Sequence, residues 1–332
     1  MRPSKTNAAV LTGGVLLLVV AVVASLMFGA RIIPFQAVID AVRGIQNSTD
    51  QAAASVRLPR TVAAVVVGAA LAVSGLGMQA VTRNPLAEPG IFGVLSGASL
   101  FVVTGIAFFD LSGTLATMAV AIAGSTLAAL FVYGIGSIGP GGATPLKLAL
   151  AGAATSAALS SLVSAVLLPR VQVMDEFRFW QIGSVGGATW EQIAWVGPAI
   201  GVGLCLAAAT AMGMNALVLG DELASGLGAH VGVQRGLIAV TSVILAGAAT
   251  SMAGPVGFVG LIIPHVLRLV MGTDHRWLVP GCAIYGAGLL VTADIVGRVI
   301  ARPEEVAVGV LLPLLGAPVF IWIVRQQKVR EL

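Results

Sequence analysis

The chain has 332 residues, of which 58% are apolar and only 10% charged, with a formal net charge of +4 at pH 7. A soluble globular domain carries about 25% charged residues, so this composition and a mean hydropathy of +1.00 exclude that class. The apolar stretches are continuous runs of about 20 residues rather than alternating segments of about ten, which implies membrane-spanning helices and not a barrel.

Taken in chain order, the candidate spans are 8–29, 61–81, 90–109, 113–134, 147–168, 192–213, 231–250, 255–270, 279–297 and 305–324. The count is ten. The 255–270 run is short and holds Pro255 and Pro264, so nine spans or a re-entrant segment is the competing reading. Arg2 and Lys5 precede the first apolar run. A cleaved signal peptide is the alternative there; the run is long and Phe28 spoils a small-x-small site ending at Ala30, so an uncleaved first span with its N-terminus inside is expected.

An even count returns the C-terminus (Arg325, Lys328, Arg330) to the inside as well. It places the loops around Arg83, Lys147, 214–235 and 268–276 inside, and 31–60, 169–191 and 298–304 outside. Of the 18 Lys and Arg, eight then lie outside: Arg31, Arg43, Arg57, Arg60, Arg170, Arg178, Arg298 and Arg302. That bias is weak against the positive-inside rule. Either the topology is wrong or some outer arginines have a task there.

Between spans, 34–44 reads as a short surface helix, and 174–193 carries Trp180 and Trp190, which suit a membrane interface. Gly68/Ala72 and Ala70/Ser74 give small-xxx-small spacings that let helices approach closely in lipid. Glu88-Pro-Gly-Ile-Phe-Gly93 and Gly254-Pro-Val-Gly-Phe-Val-Gly260 share a faint texture. The first turn is expected inside and the second outside, as an inverted repeat requires.

The stretch 214–235 is polar-centred between two membrane-like blocks. Leu217, Leu219, Leu223 and Leu227 form an apolar ridge, and Asp221, Glu222 and His230 supply polarity. A short amphipathic helix bracketed by Gly220 and Gly228 fits, with Asp221 and Glu222 capping or orienting its start. It reads either as a helix resting on the membrane or as a docking helix for a soluble partner.

Several chemistries are missing. The lysines are Lys5, Lys147 and Lys328, and none stands in the Gly-Lys-Ser/Thr context of a phosphate-binding loop. Gly134-Ile-Gly-Ser-Ile-Gly139 spells a dinucleotide fingerprint but follows a span rather than a strand, with no acid about 20 residues on. His230, His265 and His275 are scattered, and Cys205 and Cys282 lie in apolar runs, so no metal site is expected. Asp294 is the main intramembrane acid, with Arg298 one turn later: a candidate for ion coupling or an i,i+4 ion pair. In 147–168, Thr155, Ser156, Ser160, Ser161 and Ser164 make one span polar, and Ser156, Ser160 and Ser164 share a face. Pathway lining and helix packing stay open for them.

Arg57-Leu-Pro-Arg60, then Gly68–Gly75 with Gln79, then Arg83-Asn-Pro-Leu-Ala-Glu-Pro89 with Gly93, resemble the FecCD family. These are membrane permeases of ABC importers for iron–siderophores, haem and cobalamin. The later half agrees in Asn215-x-Leu-x-Leu-Gly220, Leu227-Gly228, Gly254–Leu261, Pro264-His265 with Arg268, Asp294 with Arg298, and Gly316-Ala-Pro318. Ala307 departs from the family's usual proline in Glu305–Gly309. The resemblance implies an all-α, ten-span type II importer permease in the cell membrane, with both termini cytoplasmic and no ATPase site of its own. It implies a second permease copy and two cytoplasmic ATPase subunits that bind ATP and Mg. An extracytoplasmic binding protein and a metal-chelate substrate complete the set; no nucleic acid is implied. By the resemblance, Arg57, Arg60 and Arg298 dock the binding protein, while Gly220, Asp221, Glu222, Leu223, Leu227 and Gly228 couple to the ATPase. Thr155, Ser156, Ser160 and Ser164 are the candidate pathway residues. An ion-gradient-driven transporter using Asp294 is the reading from another class.

Overall fold

A computed structural model describes residues 4–45, 47–139, 144–226 and 230–330, and every regular element among them is helical. In chain order these are α1 (Ser4–Met27), α2 (Phe35–Val42), α3 (Thr49–Thr82), a 3-10 turn (Pro89–Phe92), α4 (Val94–Phe109), α5 (Thr114–Gly136) and α6 (Pro145–Leu167). They continue as α7 (Val171–Gln181), α8 (Trp190–Ala209), α9 (Ala211–Val218), α10 (Asp221–Gly226), α11 (Val231–Ala253), α12 (Val259–Met271), α13 (His275–Ile300) and α14 (Val308–Arg330). Among the described residues, seven helices are long and apolar enough to cross a membrane: α1, α3, α5, α6, α8, α11 and α13. Three shorter apolar helices, Val94–Phe109, Val259–Met271 and Val308–Pro318, fill the other places in the sequence count. The surface helix expected at 34–44 is α2.

The bundle is organised around α3, which packs against α13, α11, α12, α8 and α2. Lipid gives no hydrophobic drive for helices to meet, so close packing has to supply it, and small residues make that possible. A Cβ on Gly286 of α13 would lie 2.4 Å from the Ala72 methyl and 2.5 Å from the Gly68 carbonyl oxygen. The Gly68/Ala72 spacing is therefore a true backbone contact. Ser74 donates to the Ser242 carbonyl of α11 at 2.6 Å, tying the same helix to a second neighbour.

Two spans are broken rather than short by accident. Helix α4 begins only after the 3-10 turn, and α12 begins only after the unwound residues 254–258. Each starts from a left-handed residue, Gly93 at φ 70° and Phe258 at φ 70°. The two breaks meet inside the bundle, because the Phe258 amide donates to Glu88 Oε1 at 2.7 Å. The two Pro/Gly turns are thus joined by a side-chain bond, which their separation in sequence did not lead one to expect.

Gly75 and Gly260 make that junction sterically possible. A Cβ at Gly75 would lie 2.1 Å from the Gly260 carbonyl oxygen, so Gly75→Val forces α3 and α12 apart at a backbone contact. The expected cost is at least the roughly 1–3 kcal/mol of overpacking, read as a lowered thermal midpoint of the purified protein in detergent. Gly232→Ala, where nothing lies within 4 Å of the added carbon, is expected to leave the midpoint unchanged or raised.

Candidate functional site

Three polar constellations lie along the bundle, one at each end and one at the junction between. At the first end the stretch 214–235 is not one helix. Met214–Val218 belongs to α9, Gly220 turns the chain at φ 106°, and α10 runs only from Asp221 to Gly226. A φ of that sign is open to glycine and strained for other residues, so Gly220 sets the direction of α10. Leu217 is 1% exposed and belongs to the core, leaving Leu219 and Leu223 as the exposed ridge at 52% and 63%. Leu227 and Gly228 lie outside the described residues. Glu222 is exposed.

Asp221 does more than cap. It accepts from Arg83, the left-handed residue that ends α3, and from Arg235 in the first turn of α11, the latter at 2.8 Å. Arg83 Nε also donates to the Leu217 carbonyl at 2.8 Å, closing the end of α9. One carboxylate thus fixes α10 to the ends of two long helices. Nearby, Asn215 donates to Asp274 at 2.9 Å and accepts from the His275 amide at 2.9 Å, which locks α9 to the start of α13. Asp274 itself caps α13, and the Arg276 guanidinium beside it, with Asn215, holds its carboxyl well below the usual carboxylate range.

The junction satisfies backbone groups that the breaks would otherwise leave unpaired. Non-helical backbone is tolerated at membrane depth only where protein surrounds and bonds it. Here Glu88 takes the Phe258 amide, and Gln79 of α3 donates to the Gly260 carbonyl at 3.0 Å. Gln79 in turn accepts from Arg268 of α12. Ser156 of α6 adds a second donor at 3.2 Å to the Gly90 carbonyl, which already accepts the Gly93 amide at 2.9 Å in the 3-10 turn. Phe258 is a non-glycine residue in the left-handed region, a conformation costing on the order of 1–3 kcal/mol that persists only when its surroundings hold it. The Glu88 bond is one such hold.

The opposite end carries Arg57, Arg60 and Arg298, and the structure brings all three together. Asp294 receives Nε and Nη2 of Arg60 at 3.1 and 2.8 Å and pairs with Arg298 at 3.0 Å. Arg60 also reaches Glu305 at 2.7 Å. Arg298 and Arg57 cap the C-terminus of α1: Arg298 donates to the Ser25 and Phe28 carbonyls at 3.0 Å, and Arg57 to Met27 at 3.0 Å and Arg31 at 2.7 Å. Cations bonding the last carbonyls of a helix also oppose its dipole. Arg298 is 2% exposed and the Arg60 side chain 11%, so in this conformation Arg60 keeps a small outward edge, paired with the exposed Glu305, and Arg298 has almost none.

Of the polar residues on α6, Thr155 is buried, with its methyl towards Gly93, and Ser156 bonds the Gly90 carbonyl. Ser160 and Ser164 stand on the exposed face, with Ser164 returning its hydroxyl to the Ser160 carbonyl at 3.1 Å. The serine face thus divides between packing and surface. Glu88, Gln79, Asn215 and Glu305 had no role assigned from sequence. All four stand in the motifs that carry the family resemblance, as polar side chains in an apolar chain.

The family model described as the FecCD transport family matches residues 17–326. The chain is 40% identical to the probable siderophore transport system permease protein YfiZ of Bacillus subtilis, over 94% of each chain. It is 40% identical to the ferric enterobactin transport system permease protein FepD of Escherichia coli, over 97% of this chain and 96% of that one. A solved chain described as an inward-facing metal-chelate type ABC transporter superposes with a TM-score of 0.84 at 29% identity, covering 96% of this chain and 99% of its own.

Breaking one partner of a buried pair strands the other charge. Asp294→Asn is therefore expected to cost roughly 3–5 kcal/mol, read as thermal unfolding in detergent. Adding Arg298→Met to Asp294→Asn should recover part of that loss. A double variant no more stable than the single would mean that Asp294 holds the fold by some other contact.

Proposed function

The chain belongs to the FecCD transport family, and from that premise we propose that it is the membrane permease of a binding-protein-dependent ABC importer carrying ferric siderophores. The siderophore and ferric enterobactin permeases among its relatives support the choice of cargo. In this reading the Asp221 end faces the cytoplasm together with both termini. Two ATPase subunits, which bind ATP and Mg, seat α10 there. A second permease copy completes the pathway, towards which the exposed Ser160 and Ser164 face of α6 is assigned.

The observation that carries the coupling role is the mounting of α10. Leu223 is held out in the open by α10, which Asp221 clamps to α3 and α11, and Leu219 stands exposed at the end of α9 just before it. An unclamped loop would yield to a push, whereas a clamped one passes the movement into two spans as rigid bodies. At the far end, a binding protein with acidic side chains would be registered by charge complementarity. Arg60 is the arginine placed to meet such a partner once Glu305 gives way. Arg57 and Arg298 hold the cluster and its positive potential from behind.

A secondary transporter working through Asp294 is less well supported. A relay carboxylate has to release and regain a cation or proton, and Asp294 is held by two guanidinium groups at once.

Leu223→Asp tests the coupling surface. The side chain is 63% exposed, so folding should persist while a charge enters an apolar contact. ATP-driven import is expected to fall by about tenfold or more, with loss of co-purification of the ATPase. Full import by the variant would remove α10 from the coupling role.

A further inference from the structure

We propose that Glu88 is a positioning residue for transport: it links the clamp at Asp221 to the broken start of α12, so that movement of α10 reaches the interior junction. This rests on the reading that α10 receives the ATPase. The path is short and continuous. Asp221 binds Arg83, four residues of chain separate Arg83 from Glu88, and Glu88 holds the Phe258 amide at 2.7 Å. Within those four residues the chain is tightened by a turn, with the Ala87 amide on the Asn84 carbonyl at 3.1 Å and the Leu86 amide on Asn84 Oδ1 at 2.9 Å. It is a compact strut rather than a slack tether.

The strut starts at a residue of unusual backbone, Arg83, and Glu88 bonds another, Phe258. Among the described residues the non-glycine residues with positive φ are Arg83 at 48°, Asp110 at 47° and Phe258 at 70°. Two of the three terminate this path, and the third ends α4, the helix that follows the strut. Left-handed residues of this kind persist where surrounding contacts fix them and relax when those contacts change. A shift of Arg83 would therefore move Glu88 and release or pull the start of α12. Gln79 and Arg268 would follow, because Gln79 holds the Gly260 carbonyl in the first turn of α12 and Arg268 bonds Gln79. Among the described residues Glu88 is the side chain that bonds the Phe258 amide, and it adds to the direct packing of α3 on α12 a hold on the break itself.

The test uses the assembled importer in proteoliposomes and reads substrate imported per ATP hydrolysed. Glu88→Ala should keep ATP hydrolysis but lower that ratio by about tenfold. Glu88→Gln retains an acceptor oxygen and should stay within about threefold of the unmodified protein. A purely structural role would lower both activities together. Spin labels replacing Ser225 on α10 and Val266 on α12 supply a second readout that needs no Glu88 variant. Their separation should hold within about 2 Å on ATP binding, while the distance from Ser225 to a label at Leu130 on α5 changes. A normal import ratio in Glu88→Ala, or an α10–α12 separation that opens with ATP, overturns the strut and leaves the importer reading intact. Absence of ATP-dependent import by the unmodified assembly would overturn both.

Discussion

Peptide groups inside an apolar layer have to be bonded, and the structure turns on how this chain meets that demand at two broken helices. A continuous helix satisfies its own backbone. Here α4 and α12 give up part of that self-sufficiency, and side chains from other elements make up the difference. Glu88 serves the Phe258 amide and Gln79 the Gly260 carbonyl, while Ser156 adds a second bond to the Gly90 carbonyl. Those bonds require the helices to lie very close, which explains the glycine contact between Gly75 and Gly260. The small-residue composition of α3 follows from the same need.

The two ends of the bundle use arginine–carboxylate pairs in different ways. At the Asp294 end the pairs are buried and their spare donors close the C-terminus of α1, so the charges mainly hold the fold. Only Arg60, through Glu305, has an outward edge. At the other end Asp221 is part-exposed and joins three separate elements, α3, α10 and α11. A part-exposed pair contributes little to stability. Its consequence is geometric: it decides what moves with α10.

Sequence alone located most spans to within a few residues, because a run of about 20 apolar residues is a strong and local signal; α3 begins at Thr49, well before the expected 61, because its first turns are polar. It also found the Gly68/Ala72 approach and the surface helix at 34–44. It placed the start of the short helix just after Gly220, where α10 begins, but grouped Leu217 with the Leu219/Leu223 ridge until packing on α9 buries it. The arginines were legible as a group, but the near-complete burial of Arg298 was not. That depends on the end of α1 lying beside α13, which no spacing reveals. Glu88 and Phe258 are 170 residues apart, so their bond could be suggested only by the faint likeness between the two Pro/Gly turns.

The choice between borrowed energy and an internal ion relay is the central one, since the chain has no phosphate-binding loop and its main intramembrane acid is doubly paired. Uptake of a ferric siderophore into proteoliposomes holding the permease with its ATPase and binding protein decides it most directly. ATP supplied on the Asp221 side should drive uptake with no ion gradient present, and a proton or sodium gradient without ATP should drive none. Uptake driven by a gradient alone, and abolished by Asp294→Asn in protein that remains folded, would contradict the importer reading and restore the relay.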